Sequence, residues 1–135
     1  MDSRTYLEEV PAPSADQELV LKVVPMPADC NANGDIFGGW LMAQTDIAGA
    51  VKAYQRTQGR TATVAVKEFI FKQPVRVGDL LSFYARVDRI GRTSITVHVE
   101  VYAETLGADR HLKVTEAVLT YVAIDDRGKP RVITA

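Results

Sequence analysis

Near residue 60 the chain changes period. From Gly38 to Gln58 the run GGWLMAQTDIAGAVKAYQRTQ contains no proline, and Trp40, Leu41, Ile47, Ala48, Val51 and Tyr54 recur at three- and four-residue spacing. That pattern predicts one helix, with Gly59 as its stop. Downstream the period falls to two, with strand patterns at 61–73, 80–90, 93–105 and 111–125 separated by PVRVGD, GR and LGAD. Upstream, ELVLKVV from Glu18 reads as a further strand that Pro25 and Pro27 end. Short connections predict that consecutive strands are antiparallel neighbours, with the early strand at an edge. The longest runs exceed a usual strand, so a curved, bulged sheet is expected. One helix followed by a meander is an α+β pattern, and the economical packing wraps the curved antiparallel sheet around the helix. The helix is apolar or small around most of its circumference, which predicts enclosure by other elements.

The chain's 135 residues, 47% of them hydrophobic, suffice for one core. Residues 1–17, acidic and proline-containing, read as a flexible N-terminal arm, 18–125 as a single domain and 126–135 as a polar C-terminal tail. A formal charge of −1 gives no bulk electrostatic reason for nucleic acid or an anionic membrane as partner. No apolar run is long enough to span a bilayer. Cys30, the single cysteine, cannot form an internal disulfide, and the first twenty residues carry no basic segment followed by an apolar one, so a cytoplasmic protein is expected. Val97, Val99 and Val101 alternate on what reads as an outer strand, where association with a second copy would protect the edge.

The chemistry concentrates in NANGDIFGGWLMAQTD, residues 31–46. At 100° per residue Asp46 shares a helix face with Met42, Ala43, Gly49, Ala50 and Ala53. A carboxylate among such groups must be paired, hydrogen-bonded or protonated, so it is either a catalytic acid or base or a satisfied structural group. Gly38 and Gly39 open the helix, where free N–H groups could hold a developing oxyanion, or where glycine simply permits close packing. Arg92, in a tight turn beside Thr93 and Ser94, is better placed for a phosphate than the other arginines. His98, His111 and Cys30 lack metal-ligand spacing, and no metal is expected. Neither histidine has an identifiable acidic partner. GxGxxG, P-loop and GxSxG signatures are absent.

Four collinear stretches carry a resemblance: NANGDIFGGWLMAQTDIAGA, GRTATVAV, PVRVGDLLSFYARVDRIGRTSITVHVEV and VTEAVLTYVAIDDRGKPR. Together they resemble the YciA-type acyl-CoA thioesterases of the hotdog fold. The resemblance implies hydrolysis of acyl-CoA to coenzyme A and a carboxylic acid, without metal or organic cofactor. By position, Asp46 matches the family's helix acid, a general base or nucleophile. Asn31 matches a loop asparagine that reaches the neighbouring subunit's site, and Gly38 and Gly39 match the helix start that polarises the carbonyl. Gly91, Arg92, Thr93 and Ser94 resemble a segment near the coenzyme A phosphates. Many relatives have histidine where this chain has Phe37. The resemblance further implies a homodimer with shared active sites, and hexamers built as trimers of dimers. Alternatives are a non-catalytic acyl-CoA sensor, for which the acidic arm offers no DNA-binding module, and a hotdog hydratase or dehydratase, which needs a histidine paired with an acid.

Overall fold

The computed structural model describes residues 16–105, 107 and 111–134, so most of the expected arm, up to residue 15, lies outside the described residues. The order of elements is β1 (Glu18–Val23), a short 3-10 turn (Pro27–Asp29), α1 (Gly38–Thr57), β2 (Thr61–Phe71), β3 (Asp79–Ile90), β4 (Ser94–Thr105) and β5 (His111–Ala123). The strands form one five-stranded sheet in the order β1-β3-β4-β5-β2, with every pairing antiparallel. The register shifts at least once in each pairing, so the expected bulges are present. They let strands of eleven to thirteen residues curve around α1 instead of splaying away from it.

Two expectations about topology are corrected. β2 and β3 are not neighbours: β2 lies at the far edge, paired with β5, with Thr63 opposite Tyr121. The connecting segment 72–78 does not turn back, because it pairs with the loop before α1, where Ile36 N–H donates to Val75 O at 2.8 Å and Asp35 bridges Arg76. β4 is correspondingly an interior strand. Val97, Val99 and Val101 are fully buried in one core with Leu41, Ala48 and Ala53 of the helix and Phe83 of β3. Edge strand β2, by contrast, carries exposed apolar side chains at Val64, Val66, Ile70 and Phe71.

The helix differs from its expected enclosure as well. Leu41, Thr45, Ala48, Gly49, Ala53 and Thr57 are buried against the sheet, whereas Met42, Ile47 and Tyr54 are exposed, Ile47 by 49% and Tyr54 by 57%. A sheet of this width covers one side of a helix. The helix ends at Thr57, with Gln58 rather than Gly59 in the left-handed conformation. Residues 126–134 run back along the end of β5: Arg131 N–H donates to Ala123 O and Ile133 N–H to Arg92 O, both at 2.8 Å.

Candidate active site

Asp46 is half-buried on the sheet-facing flank of α1. Its Oδ1 accepts two hydroxyl hydrogen bonds, from Thr63 Oγ1 at 2.8 Å and from Tyr121 Oη at 3.0 Å. These donors come from directly opposed residues of β2 and β5, so the strand register sets them side by side. Tyr121 is fully buried. Burial, and then the negative charge and hydrogen bond of Asp46, push its phenol far above the ordinary value, so it remains a donor. Oδ2 of Asp46 has no protein hydrogen bond among the described residues. One carboxylate oxygen is therefore anchored and the other is left available for chemistry.

Gly38 and Gly39 begin the helix after Phe37, whose side chain makes no capping hydrogen bond. Helix geometry leaves the N–H groups of Gly38, Gly39 and Trp40 without intrahelical acceptors. A Cβ at Gly38 would press on the Phe71 ring at 3.0 Å, whereas one at Gly39 would meet open space. Beside this start lies a cavity of about 360 Å³ whose lining includes Asn31, Ile36, Gly38, Leu41, Phe71 and Lys72. Asn31 Oδ1 accepts N–H groups of Asn33 at 2.9 Å and Asp35 at 3.2 Å, which fixes the loop. Its side-chain NH2 has no partner among the described residues.

Within one chain these groups form two clusters. Asn31 and Gly38 line the cavity at the Phe71 end of β2, and Asp46 is held near the Thr61 end. Asp46 lies eight positions after Gly38 on the helix, about 12 Å along the axis. The GRTS turn lies at the Asp46 end, since Ser94 pairs with Val122 and Thr93 O accepts the Ala123 N–H. Arg92 there is exposed. Among the described residues no group of three or more His, Cys, Asp or Glu could hold a metal ion, and no helix is long and apolar enough to cross a membrane.

Sequence reasoning left out Thr63 and Tyr121, and it left His98 without an acidic partner. That last reading is corrected: His98 Nε2 lies 2.7 Å from Glu116 Oε1. The pair nevertheless belongs to another place. Glu116 stands an odd number of residues from Tyr121 on β5, so it faces away from the helix, in an ion network with Lys113.

One long helix embraced by a curved antiparallel sheet is the hotdog architecture. The model of the thioesterase superfamily matches residues 33–108. Acyl-CoA thioester hydrolase YciA of Salmonella typhimurium is 50% identical over 117 residues, covering 84% of this chain and 88% of that protein. The hexameric thioesterase y2039 of Yersinia pestis, also 50% identical, superposes with a TM-score of 0.86 over 90% of this chain and 99% of its own. HI0827, a hexameric broad specificity acyl-coenzyme A thioesterase solved as an aspartate-to-alanine mutant, is 42% identical with a TM-score of 0.84, covering 87% and 86%. The chain belongs to the thioesterase superfamily, in its branch of YciA-type acyl-CoA thioester hydrolases.

Proposed function

We propose that this enzyme hydrolyses acyl-CoA thioesters to coenzyme A and a carboxylic acid, with Asp46 as the general base or nucleophile. The observation that carries the reading is the asymmetric seating of Asp46, with Oδ1 tied to Thr63 and Tyr121 and Oδ2 free of partners among the described residues. In the general-base form, the carboxylate takes a proton from water as its oxygen attacks the thioester carbonyl carbon. The carbonyl oxygen becomes an oxyanion in the tetrahedral intermediate, and collapse expels the coenzyme A thiolate, which is then protonated. The N–H groups at Gly38 and Gly39 are the proposed oxyanion donors, at a helix start whose N-cap residue, Phe37, makes no side-chain capping bond. Asn31 would position water or substrate through its NH2 group, which has no partner among the described residues. Arg92, with Thr93 and Ser94, would meet coenzyme A phosphate.

A separation of about 12 Å prevents Gly38 and Asp46 of one chain from addressing the same carbonyl. The reading therefore uses two copies in a homodimer, Asp46 from one facing Asn31 and the glycines of the other. The exposed face of α1 and edge strand β2 supply apolar surface for that association, and the hexameric state of its relatives agrees with it. The decisive variant is Asp46→Asn, which keeps the shape and removes the base. Its thiol release from acyl-CoA is expected to fall about 100-fold or more with folding and assembly intact. Near-normal turnover by the folded variant would sink the assignment.

A further inference from the structure

Tyr121 has more contact with Asp46 than a packing residue needs. Its hydroxyl stands 3.0 Å from Asp46 Oδ1 and 2.9 Å from Asp46 main-chain O, so a single proton has two acceptors on one residue. The ring is fully buried, and its hydroxyl enters a notch at Gly49, where any Cβ would collide with it. Gly49 lies three residues beyond Asp46, on the adjoining face of the same helix. A helix offering its backbone this closely to a phenol gives up helix propensity for the contact. The contact must therefore be worth more than filling space.

We propose that Tyr121 is a positioning residue for hydrolysis: its hydroxyl locks the Asp46 rotamer so that Oδ2 is presented to water or thioester, while Gly49 keeps the phenol within reach. The inference rests on Asp46 being the reacting carboxylate. Thr63 alone could not fix the group, because one hydroxyl on one oxygen leaves the carboxylate free to rotate about that bond. Tyr121 approaches the same oxygen from the interior and spans to the main chain, which ties side chain and backbone of Asp46 together. The two acceptors also serve the cycle. The hydroxyl donates to Oδ1 while the carboxylate is ionised, and it can turn its proton to the carbonyl of Asp46 once the carboxylate has taken a proton. No heavy atom has to move.

The test is steady-state kinetics of Tyr121→Phe on acyl-CoA, alone and combined with Asp46→Asn. For folded, normally assembled Tyr121→Phe, kcat is expected to fall about 10- to 100-fold, the scale of a lost hydrogen bond to a charged group. KM should stay within about twofold, since binding of coenzyme A does not depend on the Asp46 rotamer. In the Asp46→Asn background the same change should alter the residual rate less than about twofold, because the carboxylate it serves is gone. Gly49→Ala reaches the contact from the other side and should lower kcat in the same sense. An unchanged kcat in Tyr121→Phe, a loss appearing in KM alone, or an equal loss in both backgrounds overturns the inference. Inactive Asp46→Asn with fully active Tyr121→Phe refutes only the positioning role, whereas active Asp46→Asn removes the reading on which it stands.

Discussion

Lys113 serves two carboxylates at once, 2.8 Å from Glu100 and 3.1 Å from Glu116. Burial alone would raise the pKa of Glu100, but hydrogen bonds from Lys113 and Tyr102 and the charge of Lys113 bring it below the ordinary 4.5. Burial likewise opposes, and hydrogen bonds from His98 and Lys113 outweigh it, at Glu116. For Lys113 burial acts downward, and the two carboxylates carry its value above 10.5. Carboxylates lowered in the folded state stabilise it above their unfolded value, and that contribution is lost as pH falls through the folded values. The raised lysine contributes below 10.5 and loses its contribution as pH climbs through its higher folded value. The network therefore works fully between pH 5 and 10, roughly. Lys113→Met is expected to cost about 2 kcal/mol at pH 7, since Glu100 is left buried with its charge. In urea titrations at fixed protein concentration, the gap to the parent should narrow below about pH 4 as the carboxylates protonate. At this scale the sequence was partly legible. Asp46 stood out because a charge among alanines and glycines on one helix needs a reason. Thr63 and Tyr121 did not, because alternation on a strand says which residues share a face and says nothing about which strand lies beside which.

The period change located the helix and the strands to within about two residues at each end, the usual uncertainty of element boundaries. What periodicity could not reach was order. PVRVGD looks like a hairpin connection, yet its residues are taken up by pairing with the loop before α1, which moves β2 to the far edge and makes β5 its partner. Gly59 shows the same limit. Its position suggested a helix stop, but the left-handed residue is Gln58, and a Cβ at Gly59 would instead strike the Arg131 guanidinium. That guanidinium donates through Nε to Ile124 O at 3.1 Å and through Nη2 to Thr57 O at 3.3 Å. It satisfies a carbonyl at the negative end of α1 and ties the returning segment 126–134 to it. Arg131→Ala should cost about 1–2 kcal/mol, and Gly59→Ala a similar amount by displacing the same group. The two losses should not add, because they remove one contact; additive losses in a double-mutant cycle would mean that Gly59 matters for backbone reasons alone.

For the molecule as a whole, the question is where its uncovered apolar surface goes. Ile47 and Tyr54 on α1 and Val64 and Val66 on β2 are exposed together with an open strand edge, a combination that ordinarily invites pairing. In the proposed homodimer a second copy laid on this surface under two-fold symmetry would cover both and would bring the Asn31 cluster of each chain to the Asp46 cluster of the other. Subunit mixing separates shared from self-contained sites. A mixed dimer of Asp46→Ala and Asn31→Ala chains has one site with both defects and one with neither, provided that each site draws Asp46 and Asn31 from different chains. Random equimolar mixing makes half the dimers mixed, so about a quarter of the parental activity should return, although each parent variant is inactive alone. If each site used Asp46 and Asn31 of the same chain, every site would carry one defect and nothing would return. Activity measured after dissociation and reassembly, with mixed dimers isolated through two different tags, decides between them: no recovery in verified mixed dimers would confine each site to a single chain.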